Sequence, residues 1–170
     1  MREYLIVDGY NIINDWPLLK KMCGESIQAA RDKLVEIMAG FRAYKGMEVI
    51  IVFDGHLVKD NPGSSVNMNG VRVIYTREQQ TADSFIEKTV AQLAKEALVR
   101  VATSDWAEQQ MILALGGIRV SAGELKGLVE DCQRDMKRKF VEKNKDSINT
   151  VNGNLSPEVA RKLQKWRKAP

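Results

Sequence analysis

The chain has 170 residues, of which 44% are hydrophobic and 28% charged, a composition typical of a globular protein with one well-buried core. No stretch approaches about 18 consecutive apolar residues and no basic, apolar leader precedes the first strand, so we expect neither a membrane span nor a secretory signal and take the cytoplasm as the location. Two cysteines without CxxC spacing and a single histidine, His56, argue against a zinc site or a disulfide framework, so any metal would be held by oxygen.

Charge is divided unevenly along the chain. Residues 126–170 carry 12 Lys or Arg against 6 Asp or Glu, a net charge of +6, whereas residues 1–125 carry 14 against 16, a net charge of −2. This asymmetry predicts an acidic site in the first part and a segment that faces a polyanion in the second. The alternative is that the basic helices are simply solvated faces.

The first part of the chain reads as strands alternating with helices. YLIVDGYNII predicts a buried strand of a parallel sheet that ends at Asp8. A short helical turn follows, with Asp15 as its cap and Pro17 early in it. A long helix is then predicted from its cap, Ser26, to its stop signal, Gly46.

The same alternation continues beyond the long helix. MEVIIVFDG predicts a second buried strand that ends at Asp54, and residues 55–70, rich in Gly, Pro, Ser and Asn, are expected to form a surface loop. VRVIYT predicts a third strand near an edge, followed by a helix capped by Thr81 and by a strand, ALVRVATSD, that ends at Asp105. A helix over 106–115 and a short strand, IRVS, complete the pattern, which predicts an α/β fold with a parallel sheet.

The remaining part of the chain predicts helices. One begins at its cap, Ser121, and a polar hinge over 144–154 is expected to separate it from a basic terminal helix that starts at Pro157. We therefore expect a domain over 1–125 that carries the site and basic C-terminal helices over 126–170. The oligomeric state is left open.

Carboxylates are predicted to gather at one edge of the sheet. Asp8, Asp54 and Asp105 each end an apolar strand. Asp83, with Glu87 one turn later, opens a helix that follows a strand. The carboxyl ends of parallel strands share one edge, so these groups should converge. Two like charges about 4 Å apart repel by roughly 4 kcal/mol at an effective dielectric of about 20, which a hard cation such as Mg²⁺ or Mn²⁺ would offset.

Each of these acids also has an ordinary structural interpretation. Asp8 and Asp105 could shape turns or cap helices, Asp83 could favour a helix N-terminus, and Glu87 could be a solvated helix charge. Asn11, three residues after Asp8, offers an amide that could orient a phosphate or a metal-bound water. Taken singly, none of these residues decides the function.

Four motifs carry a resemblance to a known family. They are VDGYNII with Asp8 and Asn11, VFDG with Asp54, TADSFIEK with Asp83 and Glu87, and VATSDWAEQ with Asp105. Together they resemble the NYN branch of the PIN-like nucleases, specifically the bacterial YacP-like proteins, over nearly the whole chain. The resemblance implies a PIN-like α/β/α sandwich with a central parallel sheet and a C-terminal helical extension. It also implies Mg²⁺-dependent RNA cleavage with Asp8, Asp83 and Asp105 as the acidic core, and, for this subgroup, an endoribonuclease that cuts mRNA on translating ribosomes.

The chain departs from the wider PIN-like pattern at one position. Many PIN-like sites carry an acidic residue early in the helix after the first strand, where this chain offers Glu25 or Asp32 without a clear match. Asp54 is the candidate to replace that acidic residue, and it is also a candidate for an outer-shell contact with the metal.

Two other functions are compatible with the same residues. Haloacid-dehalogenase phosphatases use a similar sheet, but they need a second aspartate two residues after the first, where this chain has Tyr10. An RNA- or ribosome-binding module with a metal site and no turnover would use the same charged surfaces. Among nuclease mechanisms the metal route is favoured, because the chain has no histidine pair and no Cys or Ser in a triad setting.

The C-terminal segment is the expected surface for RNA or the ribosome. Its basic residues are Arg161, Lys162, Lys165, Arg167 and Lys168. Lys and Arg that neutralise phosphates release counterions, so such binding should weaken as salt rises. Trp166, within this segment, either stacks on a base or packs the helix onto the body.

Overall fold

The structure, a computed structural model, describes residues 1–56 and 59–154. The strands are β1 (Glu3–Asp8), β2 (Glu48–Phe53), β3 (Ser64–Met68), β4 (Val71–Tyr75), β5 (Leu98–Ala102) and β6 (Ile118–Val120). The helices are α1 (Gly9–Asp15), α2 (Pro17–Glu25), α3 (Ile27–Lys45), α4 (Ala82–Leu93), α5 (Trp106–Ala114) and α6 (Ala122–Asn154).

The six strands form one sheet in the order β3-β4-β2-β1-β5-β6. All neighbouring strands are parallel except β3 and β4, which are antiparallel. On one side of β1 the sheet continues with β2 and then β4, whereas β5, which comes later in the chain, lies on the other side of β1. The carboxyl ends of β1 and β5 therefore flank a topological switch point, where open α/β sheets bind ligands. The predicted α/β fold with a central, mostly parallel sheet is confirmed.

Two apolar clusters lie on opposite faces of the sheet. Alternate residues of β1 belong to different clusters, Leu5 and Val7 to one and Ile6 to the other. The first cluster includes residues of α1, α2, α3 and the start of α6, and the second includes residues of α4 and α5. Because both faces are covered, the central strands are apolar throughout, as the sequence pattern predicted.

Local capping signals are confirmed at three helix ends. The Ser26 hydroxyl accepts a hydrogen bond from the Ala29 N–H at 3.2 Å, and α3 ends at Gly46, which has a φ of 70°. The Thr81 hydroxyl accepts from the Ser84 N–H at 3.1 Å at the start of α4. These bonds satisfy N–H groups that have no partner within the helix.

The prediction of a loop over 55–70 is wrong in its second half. β3 pairs there with β4, and Asn69 and Gly70, with φ of 54° and 87°, form the two-residue turn between them. All side chains of β3 are exposed, so the strand shows no apolar alternation. The Asn-Gly pair is a strong hairpin signal, because both turn residues need a positive φ.

The predicted cap at Asp15 is also wrong. Asp15 is the last residue of α1, and Trp16 occupies the N-cap position of α2 without a side-chain bond. Pro17 lies at the first turn of α2 as predicted, where the missing N–H costs nothing.

The predicted hinge over 144–154 is wrong, because α6 runs through it to Asn154. Weak helix formers cost at most about 0.7 kcal/mol each and Gly153 about 1 kcal/mol, and no proline interrupts the helix before Pro157. One compact unit spans Met1–Cys132 and a second begins at Gln133. The expected boundary between residues 125 and 126 stays a prediction, and the terminal helix expected from Pro157 lies outside the described residues. Within the described part of the chain, no helix is both long and apolar enough to cross a membrane.

Candidate active site

Asp8 is held at the switch point by a sharp turn from strand to helix. It is the last residue of β1, and α1 begins with the next residue, Gly9. A Cβ at Gly9 would lie 2.4 Å from Cε1 of Phe53, so any other residue there would force this ring to move. Asp8 is only 8% exposed. The local geometry therefore leaves a nearly buried carboxyl group at the ligand-binding edge of the sheet.

Three acidic side chains meet at this edge. Asp8, Asp83 and Glu108 each contribute an oxygen that lies within 4.8 Å of the other two. Asp83 is exposed in the first turn of α4, and Glu108 is 4% exposed in the first turn of α5. We call these three residues the acid cluster.

Thr103 holds Glu108 in place. The buried Thr103 hydroxyl donates to Oε2 of Glu108 at 3.0 Å and accepts from the Asp105 N–H at 3.1 Å. The Gln109 side chain donates to the Thr103 carbonyl at 2.7 Å. The other carboxyl oxygen of Glu108, Oε1, is buried and receives no hydrogen bond within the described residues. A buried oxygen without a hydrogen-bond donor destabilises the folded state unless a proton or a cation binds to it.

Burial and mutual repulsion shift the pKa values of the cluster. The pKa of Asp8 is raised to about 6, mainly by burial and further by the charges of Asp83 and Asp105. Hydrogen bonds from the Glu108 side chain and the Asn11 backbone oppose this rise. Burial, followed by the charges of Asp8 and Asp83 and a hydrogen bond from the protonated Glu108 to Asp8, raises the pKa of Glu108 to about 9. Near neutral pH the cluster therefore tends to hold a proton that ordinary carboxylates would have lost.

The residues present fit a hard divalent cation. The available ligand atoms are all oxygens, one of them is buried without a donor, and the groups repel one another. Mg²⁺ and Mn²⁺ prefer oxygen ligands, and a bound cation would remove the repulsion that raises these pKa values.

Asn11 and Asp105 make structural bonds beside the cluster. Asn11 Oδ1 accepts from the Ser104 N–H at 2.6 Å and from the Ser104 hydroxyl at 2.7 Å, which ties α1 to the segment between β5 and α5. Asp105 caps α5, since its Oδ1 accepts from the Glu108 N–H at 3.2 Å. The expected roles of Asp105 as a metal ligand and of Asn11 in orienting a phosphate stay predictions.

Asp54 and Glu87 lie outside the acid cluster. Asp54 accepts from the backbone N–H of His56 at 2.9 Å, contacts the His56 ring at Nδ1, and accepts from the Ala82 N–H at 3.3 Å. Burial alone would raise the pKa of Asp54, but these donors bring it below its ordinary value. Asp54 thus anchors the start of α4, the helix that carries Asp83. Glu87 is half-buried one turn after Asp83. For both residues a contact with a metal stays a prediction.

Glu108 was not anticipated from the sequence. It lies three residues after Asp105, so the pattern in SDWAEQQ resembles a capping box, in which the glutamate would bond the backbone N–H of the cap residue. The Asp105 N–H instead donates to Thr103. Glu108 is therefore free to turn toward Asp8. A threonine two residues before the cap is the only sequence signal for this arrangement.

Comparison with known proteins assigns the family. Residues 5–168 match the YacP-like NYN domain. The chain belongs to the YacP-like NYN family. A member from Bacillus subtilis (strain 168), described as uncharacterized protein YacP, is 42% identical over 167 residues, which are 98% of this chain and 97% of that protein.

Two crystal structures of Rae1 (YacP) from Bacillus subtilis share the fold. One structure is of a mutant and has a TM-score of 0.72 at 35% sequence identity. The match covers 95% of this chain and 98% of the mutant chain. The other structure has a TM-score of 0.70 at 41% sequence identity, and the match covers 98% of this chain and 95% of that chain. The YacP-like NYN family is of nuclease type, and the family and fold expected from the motifs are confirmed. The basic residues expected to bind RNA or the ribosome, Arg161, Lys162, Lys165, Arg167 and Lys168, lie outside the described residues, and their role stays a prediction.

Proposed function

We propose that the chain is an endoribonuclease that depends on Mg²⁺ or Mn²⁺ and cleaves mRNA in association with translating ribosomes. The observation that carries this proposal is the acid cluster at the topological switch point of a nuclease-type fold. An enzyme with this role works in the cytoplasm.

The acid cluster would hold the cation, with Asp105 close enough to influence the charge of Asp8. A bound divalent cation supplies positive charge for the scissile phosphate and lowers the pKa of an attacking water. Asp8 contributes a carboxyl fixed by the end of β1, and Asp83 contributes one from the start of α4. This pairing of a rigid strand end with a helix start limits how far the ligands can move apart.

The neighbouring residues orient the cluster. Thr103 binds one oxygen of Glu108 and leaves the other for a ligand. Asn11 holds Ser104, and thereby the backbone that leads into Asp105. The apolar residues beneath Asp8 exclude water from one side of the site, which strengthens electrostatic interactions there.

Cleavage assays test the enzymatic part of the proposal. Wild type should cut a labelled single-stranded RNA or ribosome-bound mRNA with Mg²⁺ and not with EDTA. Asp8→Asn and Asp83→Asn should each lose roughly a hundredfold or more, the effect typical of one group that stabilises transition-state charge. Asp15→Asn, an exposed carboxylate at the end of α1, is the matched control. Activity in EDTA, or full activity of both cluster variants, would contradict a metal-dependent nuclease and favour a binding module.

Sedimentation with ribosomes tests the partner. Reversing charge in the terminal segment should weaken association and flatten its salt dependence, because fewer counterions are released. The substitutions to glutamate are made at Arg161, Lys165 and Lys168. The control variant reverses three exposed lysines of the first unit, Lys20, Lys88 and Lys95. If the terminal variant co-sediments like wild type across the salt series, the segment is a solvated face and ribosome docking by it is excluded.

A further inference from the structure

Arg31 is a half-buried cation without an acidic partner among the described residues. Its Nη1 donates to the Tyr10 hydroxyl at 2.9 Å and its Nη2 donates to Oε1 of Gln28 at 2.6 Å, and both acceptors are neutral. The Nε of Arg31 is buried and finds no acceptor in the described part of the chain. Asp32, the next residue, is instead bonded to Gln28. The guanidinium is held by two neutral acceptors, and Asp32 acts on its charge only from a distance, without an ion pair in the part of the chain that the structure describes.

The position of Arg31 relates it to the candidate active site. Tyr10 lies in α1, two residues after Asp8, and the guanidinium carbon of Arg31 lies 5.8 Å from the centroid of the Tyr75 ring. The Phe53 ring lies between these tyrosines, 5.0 Å from Tyr10 and 5.3 Å from Tyr75. Phe53 and Tyr75 are the last residues of β2 and β4, and Tyr10 follows the end of β1, so the three rings lie toward the carboxyl ends of these strands. They belong to the apolar cluster on the α1–α3 face of the sheet, and Arg31 contacts two of them, Tyr10 and Tyr75.

The donors of Arg31 are suited to a phosphate. A guanidinium has five N–H groups, of which two are used by Tyr10 and Gln28 and one, at Nε, is buried. One N–H therefore remains at each terminal nitrogen, and a guanidinium uses such N–H groups to bind the oxygens of a phosphate. An RNA strand that enters a site lined by carboxylates also needs a cation nearby, since residues 1–125 carry a net charge of −2.

We propose that Arg31 binds a backbone phosphate of the RNA other than the one at the acid cluster, and so positions the strand for cleavage. This inference rests on the proposed function and deepens it by naming a substrate contact. Arg31 is a positioning residue, because it contacts the strand away from the bond that breaks.

Arg42 provides a matched control on the same helix. It is also half-buried in α3 with an Nε that has no acceptor, but its guanidinium faces Glu48 at 3.8 Å. Arg31→Met and Arg42→Met remove one charge each while keeping an apolar stem in place of the arginine chain. Arg31→Lys keeps the charge and loses the paired donors.

Binding is measured with a fluorescein-labelled single-stranded RNA in EDTA, where the strand stays intact. Arg31→Met should weaken binding roughly tenfold, about 1.4 kcal/mol, and lower the slope of log affinity against log salt by about one. Arg31→Lys should recover part of the affinity, and Arg42→Met should bind within about twofold of wild type. In cleavage, Arg31→Met should raise KM more than it lowers kcat, since the contact is present before and during the reaction.

A phosphate scan separates contact from folding effects. One methylphosphonate at a time replaces the phosphates around the cleavage site. Neutralising the contacted phosphate should weaken wild type as much as Arg31→Met does and should weaken Arg31→Met no further, which is the signature of a direct pair. If every neutral phosphate weakens wild type and Arg31→Met alike, or if Arg31→Met binds RNA as wild type does, the inference is wrong.

The failures of the two proposals are distinguishable. A wild type that cleaves RNA while Arg31→Met is unaffected refutes only the Arg31 contact. A wild type that binds RNA through Arg31 but never cleaves it refutes only the enzymatic proposal. A wild type that does not bind the free strand and cleaves neither that strand nor ribosome-bound mRNA refutes both.

Discussion

Replacing Glu108 with glutamine should stabilise the metal-free protein. Glu108→Gln puts a permanently neutral group in place of a buried carboxyl that must take up a proton, and it keeps the side-chain volume. The amide oxygen can still accept from Thr103. The folded pKa of about 9 compares with an ordinary value of 4.5. By linkage, the proton that the folded state takes up on Glu108 at pH 7 costs about 3 kcal/mol relative to the unfolded chain, an upper value because Asp8 shares the effect. For a chain of this size that gain corresponds to a rise in Tm of roughly 6–12 °C.

The pH dependence follows from the direction of the shift. Because the folded state holds the Glu108 proton more tightly than the unfolded state does, the stability that this group supplies is complete below its ordinary pKa of 4.5. It is lost as the pH rises through about 9. The difference in Tm between Glu108→Gln and wild type should therefore grow from pH 5 toward pH 9.

Thermal unfolding followed by circular dichroism measures both effects. Scans in EDTA across this pH range give the difference in Tm, and scans with added Mg²⁺ or Mn²⁺ show whether wild type gains more from the cation than Glu108→Gln does. Glu36→Gln, an exposed glutamate paired with Lys33, is the control and should stay within about 0.5 kcal/mol of wild type. If Glu108→Gln melts below wild type at every pH in EDTA, the carboxyl group is a structural element and the repulsion argument for the acid cluster is wrong.

Two further substitutions test the local geometry by urea or thermal unfolding. Asp105→Asn should keep the cap on the Glu108 N–H and the stability of the fold, whereas Asp105→Ala should cost about 1 kcal/mol; equal stability of the two would show that the cap is unimportant. Gly9→Ala should destabilise by about 1–3 kcal/mol, because its Cβ would overlap the Phe53 ring, while Gly24→Ala, with open space around it, should be neutral or stabilising. A Gly9→Ala protein as stable as wild type would mean that the ring yields without cost.

The sequence by itself determined those features that depend on neighbouring residues. Buried strands, their order along the chain and the caps at Ser26 and Thr81 follow from periodicity and from short side-chain bonds, so the α/β class was predictable. Asp8 at a strand end and Asp83 in a first helical turn could be placed for the same reason. The strand β3 was missed because its pairing depends on backbone bonds to β4, although the Asn-Gly turn signalled it.

Only the tertiary structure decided which carboxylates meet. The switch point between β1 and β5 exists because β5 returns beside β1, and no local pattern specifies that order. Glu108 joins Asp8 because Thr103 occupies the N–H that a capping box would have used, a choice made by contacts within the folded chain. Asp54, equivalent to Asp8 by sequence pattern, instead bonds His56 and the start of α4. Residue type and strand ends are local properties, but the direction of a side chain depends on the donors that the fold brings next to it.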